Sequence, residues 1–320
     1  MYFTKMALNR YLLHFSYIGT PFMGAQRQVT GRMPRPDDPS TVQGQLEMAL
    51  KRLNPTNDPV VYLSSRTDSG VHALNSTCHV DLYRSNELEY EPKTITICLN
   101  RYFDKNEVPI RVIKTYWVPP DFHCRHTAIS RTYLYRIAIA KTGVTEHATI
   151  LNLLPIEEYQ RCLFFYCDSF NIDEMKEAAK VFEGLHDFRT FMGRGSHDPD
   201  KITRRVVTRV DVCDGRALTY SSFSWPRFAS GSAENYQFYD IYVQATGFLY
   251  RQVRRMVASL IAVGQGKKTR RELKLMLEVP SHRSWDERIK TVPAYGLYLC
   301  EVEYSDRHRS AFREGLQGGQ

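Results

Sequence analysis

One carboxylate stands out for its setting. Asp68 lies in Ser65-Arg66-Thr67-Asp68-Ser69-Gly70-Val71-His72-Ala73-Leu74, between the apolar runs 60–63 and 76–82. Both flanks have the composition of strands, so the Arg, the Asp and the Gly fall on a tight connection where Gly permits a backbone angle or close approach that other residues resist. A carboxylate presented in this way could be a nucleophile, a metal ligand or an acid. The plainer alternative is an Asx-type turn beside a solvent-facing Arg.

A cation that could answer Asp68 appears near the start of a helical pattern. Arg254 shares a row with Ala258 and Ile261, beside an apolar stripe. A partly buried Arg calls for a carboxylate or a phosphate; an Arg lying over a surface helix is the alternative. Around it, Arg251, Arg254, Arg255, Lys267, Lys268, Arg270 and Arg271 put seven basic residues within 21 positions, with no Asp or Glu among them. That density suits phosphate contact, or equally a solubilising face. Tyr133 precedes Tyr135 by two positions on one strand face, where aromatic rings can stack on nucleobases or simply fill a core. Phe188 and Phe248 carry the same ambiguity. Other chemistries find less support. His72, His79, His123 and His126 have no recognised ligand spacing; His123-x-x-His126 comes closest, with Asp121 nearby. There is no phosphate-binding G-x-x-x-x-G-K-[ST], no G-x-G-x-x-G after a strand and no Ser-centred nucleophile elbow.

The elements around these residues repeat one order. Tyr11, Leu13, Phe15 and Tyr17 alternate along a strand. Residues 19–39 read as a loop in which Gln26, Arg27 and Gln28 offer donors at a strand exit. Val42, Leu46, Ala49, Leu50 and Leu53 follow at helical spacing, with Ser40 and Gln43 as a capping box. The Asp68 connection comes next, between two strands. Glu91-Pro92 opens a helix with Ile95, Cys98, Leu99 and Tyr102 on one face, and 110–118 is a strand. This is β-α-β-β-α-β, the ferredoxin-like arrangement. After Pro119-Pro120 a second series begins. It has a strand through Arg131, Tyr133, Tyr135, Ile137 and Ile139, then an irregular connector at 141–170 with a short helix after Pro155. A helix with Met175, Ala178, Ala179 and Phe182 ends at Gly184. A polar segment at 190–203 reads as a mobile or ligand-ordered loop. Strands at 205–213 and 236–246 flank a long connection holding Trp225-Pro226. A helix with Val253, Met256, Val257, Leu260 and Ile261 ends at Gly264, Thr269 and Glu272 cap a shorter helix, and 297–304 is the closing strand. The expectation is an α+β protein (mixed α/β sheets) of two ferredoxin-like, RRM-like halves with antiparallel sheets forming a central cleft. The halves are residues 10–118 and 119–304, with a polar tail at 305–320.

Composition agrees with a folded protein that meets polyanions. Its 320 residues carry 43 Lys and Arg against 35 Asp and Glu, a net charge of +8, which favours a polyanionic partner. Seven scattered Cys without a C-x-x-C pair fit a reducing compartment. No run of 18 apolar residues would span a membrane and no secretory leader opens the sequence; residues 1–10 are basic and acid-free, as a minimal organellar targeting segment would be.

Four stretches together resemble the TruA-type tRNA pseudouridine synthases, across residues 10–304. Ser65–Ala73 is similar to that family's catalytic motif. Phe122-His123-Cys124-Arg125 with Ser130-Arg131-Thr132-Tyr133-Leu134-Tyr135 is similar to the second, Gly247-Phe248-Leu249-Tyr250-Arg251-Gln252-Val253-Arg254 to the third, and Pro293-Ala294-Tyr295-Gly296-Leu297-Tyr298-Leu299 to the fourth. The animal tRNA pseudouridine synthase-like branch, associated with mitochondria, is the nearest in pattern; cytoplasm and nucleus are the alternative compartments. The resemblance implies that Asp68 is the catalytic aspartate, that Tyr133 stacks on the target uracil and that Arg254 ion-pairs with Asp68. It also implies that Arg66 contacts RNA and helps extrude the base. Further RNA contacts are expected from Gln26, Arg27, Gln28, His72, His123, Arg125, Arg251, Arg255, Lys267 and Lys268, with Phe248 and Leu249 supporting the base pocket. No metal or organic cofactor is implied. The implied partner is tRNA at its anticodon stem-loop, with mRNA as a further candidate, bound by a homodimer as in bacterial members. Three departures stand in the motifs: Ser69 follows the aspartate where a small or basic residue is usual, Ile18 replaces an Asp, and Ala25 replaces a Trp. Attack by Asp68 at C1′ of the ribose and attack at C6 of the base both remain open. The rival class is a non-catalytic RNA-binding or RNA-chaperone protein on the same scaffold.

Overall fold

The computed structural model describes residues 9–27, 29–30, 33–34, 38–85, 88–141, 155–194, 201–218 and 235–315. Gln28, most of the loop around residues 29–39, residues 195–200, Trp225-Pro226, the basic start at 1–8 and the tail at 316–320 lie outside the described residues. The chain forms two compact units. Unit 1 comprises residues 1–131 and 299–320, and unit 2 residues 132–298. In chain order the elements are β1 (Arg10–Tyr17), β2 (Val29–Thr30), β3 (Met33–Pro34), α1 (Val42–Leu50), β4 (Tyr62–Leu63), β5 (His72–Asp81), α2 (Pro92–Lys105), β6 (Ile110–Val118) and β7 (Ala128–Ala140). These are followed by β8 (Leu163–Tyr166), α3 (Ile172–Ala179), β9 (Gly184–Asp187), β10 (Arg204–Asp214), β11 (Tyr236–Ala245), α4 (Gln252–Gly264), α5 (Arg270–Glu278), β12 (Leu297–Tyr304) and α6 (Asp306–Arg309). The class is mixed α+β with mostly antiparallel pairing.

In unit 1 the strands run β6-β1-β5-β12, with β4 also on β5. β1 lies between antiparallel neighbours, in register Arg10↔Asp81 with β5 and Arg10↔Val118 with β6. A strand paired on both edges is easily covered on both faces, and Tyr11, Leu12, Leu13, Phe15 and Tyr17 are all buried. The elements β1, α1, β4, β5, α2 and β6 follow the β-α-β-β-α-β order. α1 buries Val42, Leu46, Ala49 and Leu50, and α2 buries Ile95, Leu99 and Phe103. Each of the larger of these side chains contributes about 1.5–3 kcal/mol on leaving water, Ala49 less. Cys98 and Tyr102, expected on the same face of α2, lie half-buried at its margin. The α1 cap also differs from the sequence expectation. Thr41 rather than Ser40 is the N-cap, accepting from the Gly44 N–H, because Ser40 is already committed to Asp38, with its hydroxyl 2.6 Å from Oδ1.

In unit 2 the strands run β7-β11-β10-β9, with β8 parallel to β7. Two of these were not expected. β8 interrupts the connector at 141–170, where a single 3-10 turn, Ile156–Glu158, follows Pro155. β9 occupies the stretch after α3, pairing Asp187 with Arg204. α4 is buried along nearly its whole length, including the expected Val253, Met256, Val257, Leu260 and Ile261. At its last residue, a Cβ on Gly264 would fall 2.3 Å from the Phe170 ring, so only glycine allows that approach. α5 has the full capping box between Thr269 and Glu272. β12, last in the expected second half, has most of its length in unit 1 beside β5. The tail joins unit 1 too. Arg313 bridges to Trp117, and Phe312 packs on Phe122, Tyr116 and Tyr304.

Candidate active site

Asp68 stands on a turn closed by the Val71 N–H donating to the Asp68 carbonyl at 3.2 Å. Gly70 occupies φ +80°, a conformation that a side chain would strain, which accounts for glycine at this place. The turn is fastened from several sides within unit 1. The Tyr17 and Thr67 hydroxyls share a 2.8 Å hydrogen bond. The Ser69 hydroxyl donates to the Phe22 carbonyl at 3.1 Å. The Ala25 N–H donates to the Thr67 carbonyl at 3.1 Å, while the carbonyls of Gly24 and Ala25 accept from the Val42 and Gln43 N–H groups that open α1. One short segment thus satisfies a helix start and holds the Asp68 turn. Gly19 touches the turn most closely, since a Cβ there would lie 1.8 Å from the Val71 carbonyl oxygen. Asp68 itself is half-buried. A carboxylate on a backbone so constrained is pre-positioned, which is what a nucleophile or counter-ion requires.

The expected RNA-contact residues of unit 1 divide into two groups. Arg66, Arg125 and Gln26 are exposed. With Gln43, residues 60–63, His123 and His126 they line a cavity of about 220 Å³. Burial first, and then repulsion from Arg125, push the Arg66 guanidinium pKa down; it stays charged in water. The others serve the fold. His72 is 1 % exposed and its Nδ1 accepts the Gly19 N–H at 3.0 Å, so it braces the turn rather than facing a ligand. Arg27 pairs at 3.2 Å with the buried Glu47, which also accepts from Gln43 and from the Val61 N–H. Arg131 was not singled out, yet it matters here. Buried, it donates to the carbonyls of Ser64 at 3.1 Å and Arg125 at 2.8 Å, tying the approach to the Asp68 turn to the Arg125 loop.

His79, His123 and Cys124 bring their ligating atoms within 4.8 Å of one another, a grouping that spacing along the sequence does not reveal. Its donor set would suit a zinc-like ion, but its surroundings would not. Burial, followed by Arg10 and His123, lowers His79 to about 4. Burial raises the Cys124 thiol to about 12, and Arg131, Arg10 and Arg125 stand close enough to act on it. These cations would oppose a bound metal ion. The polar atoms already have partners: the Cys124 thiol donates to the Tyr62 carbonyl at 3.0 Å, and its N–H approaches His79 Nδ1 at 3.4 Å.

In unit 2, the Tyr133 ring meets the Phe248 ring edge to face, with centroids 5.2 Å apart and planes at 89°. Phe248 precedes the buried Leu249, whose N–H donates to Gln252 Oε1 at 2.9 Å. Arg254 is half-buried and its Nε donates to the Val292 carbonyl at 2.8 Å. The next carbonyl, of Pro293, accepts from the Tyr135 hydroxyl at 2.8 Å, and Gly296 leaves the room that the Tyr135 ring fills. Three of the four sequence motifs therefore share one packed region: Tyr133 and Tyr135, residues 247–254, and residues 293–297. The basic run is less uniform than its sequence implies. Arg251 starts α4 in a left-handed conformation, φ +58°, with its guanidinium 4.8 Å from the centroid of the Tyr250 ring. Arg255 lies over Trp285 and donates to the carbonyls of Thr190 and Met192. Lys268 pairs with Asp286 at 2.8 Å and with Glu272 at 3.1 Å. Arg255 and Lys268 thus also hold loops. Lys267 is exposed.

Known proteins align along almost the whole chain. The Homo sapiens and Mus musculus proteins called tRNA pseudouridine synthase-like 1 are 36% and 38% identical over 304 and 299 residues. These alignments cover 93% of this chain in both cases, and 90% and 94% of the relatives. The tRNA pseudouridine synthase A of Sinorhizobium fredii is 30% identical over 298 residues, 93% of this chain and 100% of its own length. The chain belongs to the tRNA pseudouridine synthase family. It is an isomerase by that membership. The family profile described as tRNA pseudouridine synthase matches residues 178–305, which include Phe248 and Arg254. Asp68 and Tyr133 precede that span, and the full-length relatives cover the region in which they lie. For a pseudouridine synthase the features most worth placing are a fixed carboxylate, a flat-base contact and cations for RNA. Gly19, Gly24 and Arg131 were missed because the partners Val71, Thr67 and Ser64 lie about 40–70 residues away. The one local signal was Gly19 and Gly24 within a strand exit.

Proposed function

We propose that this pseudouridine synthase converts specific uridines of tRNA, in the anticodon stem-loop, to pseudouridine, with Asp68 as the nucleophile. The observation that carries the assignment of Asp68 is the turn: it is the carboxylate of the matching motif, and its backbone is clamped by Gly19, Ala25, Thr67 and Phe22. The reaction is a balanced isomerisation. The bond from uracil N1 to ribose C1′ breaks, the base turns, C5 bonds to C1′, the C5 proton leaves and N1 gains one. No oxidant or reductant is consumed. The target uridine has to leave its stack to reach a protein carboxylate. Asp68, ionised, attacks C1′ or C6. Arg254 favours the charged carboxylate, Tyr133 stacks on the uracil while it turns, and its hydroxyl or a water that it orders removes the C5 proton. Exposed Arg66 and Arg125 and the cations Arg251 and Lys267 supply phosphate contacts. A homodimer, action on mRNA and a mitochondrial site of action are further parts of this reading.

The test is Asp68→Asn, assayed by mass spectrometry of tRNA after incubation with purified protein. Pseudouridine formation should vanish while tRNA binding stays within about threefold of wild type, since one neutralised carboxylate removes no phosphate contact. Full activity in Asp68→Asn would remove the nucleophile assignment. Mapping pseudouridines in total and mitochondrial RNA, with and without the protein, identifies the RNA; no change in either would favour a non-catalytic RNA binder.

A further inference from the structure

The cavity beside the Asp68 turn has features that the isomerisation does not use. Among the described residues lining it, Asp68 does not appear. Its lining includes Tyr62, an aromatic side chain that remains 48% exposed although it stands on β4. The Tyr62 ring stacks on His79, with centroids 4.9 Å apart and planes at 10°, and makes a T-shaped contact with His123 at 5.9 Å and 61°. The stack is fixed from below. His79 is 1% exposed, its Nδ1 is engaged by Cys124, and the Cys124 thiol holds the Tyr62 carbonyl. A neutral imidazole under the ring makes the platform flat and uncharged, and burial keeps His79 neutral at physiological pH. Two exposed guanidinium groups, Arg66 and Arg125, line the same cavity. Gln26 adds an exposed amide able to donate and accept. A fixed, half-exposed aromatic ring, two cations and one amide are the components by which proteins hold a single unpaired nucleotide: stacking for the base, cations for the phosphate, an amide for a base edge.

We propose that this cavity is a nucleotide subsite for an unpaired base other than the target uridine, the base stacking on Tyr62 and its phosphate held by Arg66 and Arg125. The proposal rests on the reading that the substrate is RNA. It gives the protein a second contact with a base, in unit 1, besides the one assigned to Tyr133. It also gives Arg66 a phosphate to hold, and it makes recognition depend on an unstacked nucleotide at a set place in the RNA.

The experiment uses the full chain and a tRNA transcript that the wild-type protein modifies. Tyr62→Ala should raise KM and Kd by about 5- to 150-fold, the range for losing one stacked base, with the loss appearing in KM rather than in kcat. Tyr62→Trp should restore binding. Arg125→Ala removes an exposed side chain from a residue whose backbone N–H and carbonyl make its hydrogen bonds, and should lower the slope of log Kd against log salt by about 0.7. Single abasic substitutions along the transcript should then reveal one non-target position at which Tyr62→Ala costs nothing further. Wild-type KM in Tyr62→Ala overturns the proposal. So does a loss that Tyr62→Trp fails to restore and that couples to no abasic position, since that is the pattern of a purely structural Tyr62. If no tRNA transcript is modified, the same Kd measurements are made on a transcript that the protein binds, and coupling there means that the subsite stands while the catalytic reading fails.

Discussion

Acid should loosen unit 1 through a single buried histidine. His79 has an ordinary pKa of 6.5 and is lowered to about 4 in the fold, by burial first, then by Arg10 and His123, with Asp81 opposing. The unfolded chain therefore takes up a proton between these values that the folded chain refuses. Stability is unaffected above the unfolded pKa, falls as pH drops through 6.5, and stops falling below about 4. At about 1.4 kcal/mol per pH unit the whole effect is roughly 3 kcal/mol, and about 2 kcal/mol of it falls between about pH 7 and about pH 4.5. His14 and His123 are lowered as well, so the contribution of His79 has to be isolated. His79→Phe keeps a ring under Tyr62 and removes the titration. Urea denaturation of both proteins at the two pH values should show the wild type losing about 2 kcal/mol more than the variant on acidification. Deuterium exchange at the histidine C2 position, read by mass spectrometry, gives the pKa of His79 directly. Equal losses in the two proteins, or a His79 pKa at or above 6.5, would refute the argument that burial and the surrounding cations hold it neutral.

Three other changes probe the Asp68 turn, the Tyr133 hydroxyl and a buried ion pair of unit 2, Arg136 with Glu158. Gly19→Ala puts a Cβ 1.8 Å from the Val71 carbonyl oxygen, and displacing the Asp68 turn should cut kcat by about 100-fold while circular dichroism is retained; activity within twofold of wild type would show that the turn tolerates movement. Tyr133→Phe keeps the edge-to-face contact with Phe248 and should bind tRNA normally but form pseudouridine more slowly, so the wild-type single-turnover rate would take the hydroxyl out of the mechanism. Arg136→Met leaves Glu158, 0% exposed and held by two guanidinium hydrogen bonds at 2.7 and 3.1 Å, as an uncompensated buried charge. Thermal or urea unfolding should show a loss of about 3–5 kcal/mol, much of it recovered on adding Glu158→Leu, and neither effect would appear if the pair were solvated.

The parts of the structure that were legible in advance are those set by neighbours along the chain. The stripes of α1, α2 and α4, the Thr269 capping box and the glycine of the Asp68 turn each depend on residues within one or two helical turns or within one loop. The Thr41 cap was displaced by a single position because Asp38 claims Ser40. β8 and β9 span four residues each and present no period long enough to read. What a basic side chain contacts was the least legible property. Arg131 and Arg255 look identical in sequence to a phosphate-binding Arg, yet their partners are backbone carbonyls of Ser64, Arg125, Thr190 and Met192. The Tyr62–His79 stack was hidden likewise, because β4 and β5 meet only after the Asp68 turn reverses the chain.

The place of β12 bears on how the protein is made. β5 is complete at Asp81, but its neighbour β12 begins at Leu297. At about 5–20 residues per second, a ribosome takes roughly 10–40 s to cross that interval. Throughout it, unit 1 has its Asp68 turn already synthesised beside a strand edge that lacks its β12 neighbour, the kind of surface on which chains join wrongly. All of unit 2 is produced in the meantime. Nascent unit 1 is thus a natural client for a chaperone, and a nonsense or frameshift change just before β12, which removes that strand and the Phe312 and Arg313 contacts together, would release a chain that retains Asp68, Tyr133 and Arg254 but is prone to aggregate.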